Sequence, residues 1–281
     1  MGVAAIAAVF GVGLLTGLLS GLVGIGGGVL MVPFLYLFYA HAEWAGVRLT
    51  PEVATLAAHA TSLFVILPTS VLGAWAFGRK GLVVWRAAVP IGIAAALAAV
   101  AAAQVADQLD PRWLRLSFGV LLLFSGWRLY RTPEPAEEGA DAPERPVHLS
   151  LAATTGVGAA MGVFSALLGV GGGVVGVPLL IHVVRVDLKR VAATSLAIVA
   201  ATSLGGAVAY MVDGPASPVR AGWSVGYVDG GVALALVAGT LLSVRWGTVL
   251  NRRLNPRTLA VVFALLFAVS GARLVLGNLP W

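Results

Sequence analysis

The chain has 281 residues, 59% of them hydrophobic and only 11% charged, with a mean hydropathy of +0.95 and a formal charge of +6. A soluble domain carries about 25% charge, so this chain has too little to cover a water-facing surface. An ordinary soluble enzyme, a disordered chain and a nucleic-acid-binding module are excluded, and the composition predicts an all-α polytopic integral membrane protein with the lipid bilayer as its main partner.

Apolar stretches run over 3–39, 53–77, 82–105, 113–129, 149–184, 191–212, 225–250 and 258–276. The start of the chain, Met1-Gly2-Val3-Ala4, has no basic run and does not resemble a cleaved signal. Between the fourth and fifth stretches lies a segment with Pro133, Pro135, Pro143 and Pro146 among Glu134, Glu137, Glu138, Asp141 and Glu144. That composition cannot bury a core and predicts a solvated linker. The chain therefore divides into an N-terminal transmembrane repeat (1–130), a linker (131–148) and a C-terminal transmembrane repeat (149–281).

The two halves repeat each other. GLLTGLLSGLVGIGGGVLMVP (13–33) aligns with GAAMGVFSALLGVGGGVVGVP (158–178), with 11 of 21 positions identical. Ala60-Thr61-Ser62-Leu63 recurs as Ala193-Thr194-Ser195-Leu196, and Thr69-Ser70 recurs as Thr202-Ser203. Leu109-Asp110-Pro111-Arg112 is matched by Leu254-Asn255-Pro256-Arg257. Three matches in one order establish an internal duplication, the plan of transporters built from two repeats around a central site.

The first stretch of each half sets the orientation. As one helix, 3–39 would be about 55 Å long, far beyond the roughly 30 Å hydrocarbon core. Three glycines in a row are poor helix, so Gly26-Gly27-Gly28 and Gly171-Gly172-Gly173 predict a hairpin, re-entrant or fully crossing. Three transmembrane helices follow, each half crosses an odd number of times, and the repeats are inverted. Thirteen of the 18 lysines and arginines then share the linker side, and five (Arg48, Arg112, Arg115, Arg220, Arg273) the other. A single-pass first stretch would split them ten to eight, with no bias. The basic excess predicts a cytoplasmic linker, both termini outside, and a multi-pass protein of the cell membrane.

Non-helical backbone survives in hydrocarbon only where protein buries it or a cavity is lined by it. The half-helices that restart after the glycines carry unpaired N–H groups at a positive end, and glycine lets an anion approach them. Gly26, Gly27, Gly28, Gly171, Gly172 and Gly173 are therefore candidate substrate contacts. The hydroxyls of Thr61, Ser62, Thr194 and Ser195 join them, although helical Ser and Thr also bond back to their own carbonyls. Thr69, Ser70, Thr202 and Ser203, two turns on, are weaker candidates. Gly13, Gly17 and Gly21 form a small-xxx-small stripe that reads as helix packing. His59 is the one histidine deep in a span; proton coupling and a neutral interhelical hydrogen bond are both open for it. No span centre holds a carboxylate, which disfavours a cation pump. No cofactor or metal set is visible, and with no cysteine sulfur-ligated metals are removed.

The paired glycine motifs GLVGIGGG…VP and LLGVGGG…VP, the ATS segments after them and the D/N-P-R before each last helix resemble the sulfite exporter TauE/SafE family, also called the TSUP transmembrane anion transporters. The resemblance covers nearly the whole chain apart from the linker. It implies a plasma-membrane permease, usually bacterial or archaeal, for small sulfur-containing or organic anions such as sulfite and sulfoacetate. The lack of cysteine departs from relatives that take up thiosulfate through cysteine contacts. An intramembrane enzyme would need a nucleophile with its base, or a metal set, and neither is present in the sequence. A passive anion channel, a permease for an unrelated organic anion and a purely structural membrane protein stay open, as does assembly into a homo-oligomer.

Overall fold

The structure, a computed structural model, describes residues 2–23, 26–41, 46–131, 150–215, 219–220, 223–250 and 256–278. The linker beyond Arg131 lies outside the described residues. Ten helices carry almost everything described: α1 (Val3–Val23), α2 (Gly28–Ala40), α3 (Pro51–Gly78), α4 (Trp85–Ala106) and α5 (Pro111–Arg131) in the first half, then α6 (Leu151–Leu168), α7 (Gly173–His182), α8 (Leu188–Val212), α9 (Gly230–Leu250) and α10 (Pro256–Asn278). A two-stranded ribbon, β1 (Ser224–Val225) and β2 (Val228–Asp229), precedes α9. Among the described residues, six helices (α1, α3, α4, α6, α8 and α9) are long and apolar enough to cross a membrane. The local signals are plain. Thr50 accepts from the Val53 amide ahead of Pro51 at the start of α3, and Ser150 accepts from the Ala153 amide at the start of α6.

The glycine-broken first segments are hairpins with short return arms. The 13 residues of α2 and the 10 of α7 span about 20 and 15 Å at 1.5 Å per residue, less than the roughly 30 Å core. The turns need left-handed backbone: Gly26, Gly27, Gly171 and Gly172 have φ of 90°, 76°, 75° and 77°. Such angles cost any residue with a Cβ. Each turn folds back onto the middle of the helix it leaves. A Cβ on Gly27 would lie 3.0 Å from the Thr16 carbonyl, and one on Gly172 would meet the Met161 carbonyl. Thr16 and Met161 stand at matching places of α1 and α6, so α2 and α7 both start deep inside the bundle.

Helix directions show the inversion. Gly119 on α5 faces Gly271 and Leu274 on α10, whereas Gly126 faces Ala264 and Phe267. Sequence rises on one helix as it falls on the other, so the two matched helices are antiparallel. The same holds for α3 and α8, where Gly73 faces Leu196 and Gly206 faces Leu63. The halves also exchange helices. The first helix of each packs along the fourth of the other, α1 on α9 and α6 on α4. The α1 glycine stripe serves this contact: a Cβ on Gly13 would lie 2.6 Å from the Leu236 carbonyl, and one on Gly17 would strike Thr240 and Ser243. Gly158 and Gly162 do the same against Ile91 to Ala99 on α4. Without a hydrophobic drive between helices in lipid, this close backbone approach supplies the van der Waals attraction.

A chain without native cysteine makes the inversion directly testable. A Cβ on Gly119 would lie 3.1 Å from the Leu274 Cβ, and a helix shift of a few tenths of an ångström brings the pair into the roughly 3.5–4.5 Å that a disulfide spans. After cleavage at a protease site placed in the linker, oxidised Gly119→Cys/Leu274→Cys protein is expected to keep its halves joined on a non-reducing gel. Separated halves would refute the antiparallel pairing.

Candidate functional site

The two glycine turns converge on one pair of side chains. A Cβ on Gly26 would lie 3.1 Å from Val199 Cγ1 and 3.4 Å from Ile66 Cγ2; on Gly171 the same two atoms would be 2.9 and 3.1 Å away. Ile66 and Val199 hold matching places on α3 and α8, and both are fully buried. They fill the gap between the turns from either side of the repeat axis. The first turn of α2 also touches the turn after α6, since a Cβ on Gly28 would lie 2.7 Å from the Val170 Cα and 2.9 Å from the Gly169 carbonyl. Two positive helix ends therefore open toward one enclosed centre. The structure thus brings Gly26 and Gly171 to the same two side chains, and sets Gly28 against the turn of the other repeat.

The hydroxyls divide into three groups. Thr16, Thr69 and Thr202 bond back to carbonyls three or four residues earlier, and Thr202 also donates to the Gly171 carbonyl at 2.8 Å. Thr61, Thr194 and Ser62 hold backbone elsewhere, Thr194 while its hydroxyl also donates back to the Arg190 carbonyl at 2.8 Å. Thr61 Oγ1 accepts the Asp229 amide at 3.1 Å, and Thr194 Oγ1 accepts the Val84 amide at 3.1 Å. Asp229 and Val84 stand just before α9 and α4, at matching places of the repeats. This pair of threonines satisfies orphan amides at two helix starts. Ser62 donates to the Gly169 carbonyl at 2.8 Å, fixing the left-handed residue that ends α6. The third group has no partner: Ser20, Ser165, Ser70, Ser203 and Ser195 are buried with unpaired hydroxyls. An unsatisfied buried hydroxyl costs about 1–3 kcal/mol. Ser20 and Ser165 are matched residues in the last turns of α1 and α6, and Ser70 and Ser203 are matched residues on α3 and α8. Ser70 Oγ lies 3.9 Å from the Cβ position of Gly26, and Ser203 Oγ 3.3 Å from that of Gly171.

His59 is fully buried and its Nε2 is hydrogen-bonded to the Tyr36 hydroxyl, while Nδ1 has no partner. Its ring and Cα back onto Gly169, where a Cβ would meet the His59 Cα at 2.7 Å. Arg115 lies over the Tyr36 ring, 5.3 Å from its centroid, and donates to Thr55 Oγ1 at 3.0 Å. The second repeat has Ile181 and Ala192 at the places of Tyr36 and His59, so this polar layer exists on one side of the centre only. Among the described residues no cluster of His, Cys, Asp or Glu could hold a metal.

Sequence reasoning missed a second asymmetric feature. Asp229 is fully buried, caps α9 by accepting the Gly231 and Val232 amides, and is paired with Arg220 at 3.0 Å. Tyr39, from the end of α2, donates to it at 3.4 Å. The first repeat has Val84 at this place; an acid just ahead of a span in one repeat against a valine in the other was the signal. Outside the centre, an apolar groove of about 500 Å³ runs between Val71, Trp75, Trp85 and Ala197, with no hydroxyl in its walls.

The family model described as sulfite exporter TauE/SafE matches residues 9–274, which takes in both glycine turns and every helix of the two repeats. The chain belongs to the sulfite exporter TauE/SafE family. It is similar to a protein named "Probable membrane transporter protein" from Methanocaldococcus jannaschii, 26% identical over 94% of this chain and 93% of that one. "Probable membrane transporter protein YunE" from Bacillus subtilis is 26% identical over 94% of each chain. "Probable membrane transporter protein MamO" from Magnetospirillum gryphiswaldense is 27% identical over 63% of this chain and 24% of its own. No solved structure matches. This TauE/SafE chain is thus a multi-pass membrane transporter, with its turns enclosed between two inverted repeats.

The threonine assignments make a prediction. Thr61→Val and Thr194→Val each leave one amide at a helix start unpaired, so a stability loss of about 1–3 kcal/mol is expected for each. Thermal unfolding in detergent checks it; two unchanged midpoints would contradict the assignment.

Proposed function

We propose that this transporter is a permease for small anions, with sulfite or an organosulfonate such as sulfoacetate as substrate, bound between the repeats at the starts of α2 and α7. The observation that carries the reading is the convergence of both glycine turns on Ile66 and Val199. Two helix N-termini aimed at one buried place favour negative charge, and an oxyanion reaches their amides when Ile66 and Val199, which fill the gap between the turns, move apart. The family's printed description, a sulfite exporter, supports the same substrate class. The turns, at φ of 75° to 90°, are left-handed backbone that protein encloses.

Closure of the centre by Ile66 and Val199 favours a carrier over an open channel. In alternating access one repeat rocks against the other around a fixed site, and the two β-branched side chains part on one side at a time. Export is the direction that needs no coupling ion: an inside-negative potential drives a monoanion outward by about 2.3 kcal/mol per 100 mV. The reading places the linker in the cytoplasm, the termini outside, and the protein in the cell membrane. It requires no cofactor and no covalent chemistry. His59 is its candidate for proton coupling.

Flux from proteoliposomes tests this. Sulfite, sulfoacetate, sulfate and acetate are loaded separately, with a potential of either sign and with or without a pH gradient. Saturable, potential-sensitive flux of sulfite or sulfoacetate with counterflow is expected. Gly27→Ala and Gly172→Ala are expected to lower it at least tenfold, since each adds a Cβ against a carbonyl at positive φ. Acceleration by a pH gradient that is lost in His59→Gln would assign the coupling role. Absence of flux for every anion at both polarities would refute the reading.

A further inference from the structure

We propose that Ser70 and Ser203 are substrate-binding residues, each donating a hydrogen bond to a different oxygen of one bound oxyanion. The proposal rests on the anion reading above and deepens it. Of the four hydroxyls that the ATS motifs bring forward, Thr61, Ser62 and Thr194 are taken by protein backbone; Ser195 is unpaired, but its counterpart Ser62 is not. Thr69 and Thr202, the immediate neighbours of the two serines, bond back within their own helices and also to Thr240 Oγ1 and the Gly171 carbonyl. Ser70 and Ser203 do neither, although a helical serine has a carbonyl four residues earlier within reach.

Three observations join at this pair. Both side chains are fully buried, at 0% exposure, and both hydroxyls lack a partner. They are matched residues of the two repeats, so the same open hydrogen bond occurs twice. Each lies beside the bare Cα of a positive-φ glycine in its own turn, Ser70 at 3.9 Å from Gly26 and Ser203 at 3.3 Å from Gly171, measured to the place a Cβ would take. A group seated between the turns would meet one hydroxyl from each repeat and the leading amides of α2 and α7. The atoms nearest the Cβ positions of Gly26 and Gly171 belong to Ile66, Val199, Ser70 and Ser203, and none of these four side chains carries a charge. Donors of this kind suit the oxygens of a sulfite or sulfonate group, which accept from several directions. A cation would have to turn both hydroxyls round and sit against two positive helix ends.

The experiment uses the full-length protein in proteoliposomes, with sulfite and methanesulfonate as probes. Ser70→Ala and Ser203→Ala are each expected to raise half-saturation roughly ten- to hundredfold, the value of one hydrogen bond to a charged group. The double variant is expected to be weaker than either. A merely structural hydroxyl would behave differently in thermal unfolding. Neither serine gives up a bond when truncated, so unfolding midpoints are expected to stay level or rise. Wild-type half-saturation in both single variants would overturn the proposal and leave the anion permease standing. A fall in midpoint with equal loss for both probes would overturn it in favour of a packing role. Sodium-dependent flux in which the variants shift only the sodium requirement would overturn it in favour of a cation site. If the wild-type protein carries neither probe, nor any anion of the broader panel, the anion reading itself fails.

Discussion

In hydrocarbon a backbone amide with no partner costs several kcal/mol, and this chain interrupts its helices twice in the middle of the bundle. The rest of the architecture follows from enclosing those two breaks. Gly26-Gly27 and Gly171-Gly172 turn back against the middle of α1 and α6, and α3 and α8 cover them with Ile66 and Val199. The start of α2 touches the turn after α6, so each repeat helps bury the other's broken backbone. One half alone would leave its turn open to lipid. Duplication is thus a structural requirement before it is a functional one.

Exchange of helices between the halves makes that enclosure rigid. The glycine stripe of α1 lets α9 approach to backbone contact, and Gly158 and Gly162 let α6 approach α4. Larger residues would hold these pairs apart and loosen the packing from which lipid-embedded helices draw their stability. The threonines of the ATS motifs add polar fasteners at matching places: Thr61 holds the start of α9, and Thr194 the start of α4. Each bond crosses from one repeat to the other. The scaffold around the centre is tied at two symmetric points, while Ser70 and Ser203 remain unbonded.

Symmetry is broken on the face that holds the starts of α3 and α9. There His59 meets Tyr36 under Arg115, and Asp229 meets Arg220 and Tyr39. The other face has Ile181, Ala192 and Val84 at the corresponding places. A carrier whose two exits differ in polarity need not hold its two closed states at equal energy. The Tyr39–Asp229 bond joins the return arm α2 to the cap of α9, two elements that would move relative to each other if the repeats rock.

The sequence alone determined the class of protein, the duplication, the hairpins and their inverted order. Those follow from composition, apolar run length and the poor helix propensity of three glycines, all local properties. It also marked the glycine turns as the centre, because backbone in lipid has so few places to go. It could not decide which hydroxyls are free. Thr61 and Ser70 look alike along the chain, and only the partner brought by another element distinguishes them. The Asp229 amide reaches Thr61, whereas among the described residues nothing bonds to the Ser70 hydroxyl. Nor could it show that α1 belongs with α9 and α6 with α4, since apolar helices carry no label for their neighbours. That choice rests on backbone approach at Gly13, Gly17, Gly158 and Gly162, a property of pairs of surfaces that exists only once the tertiary structure has formed.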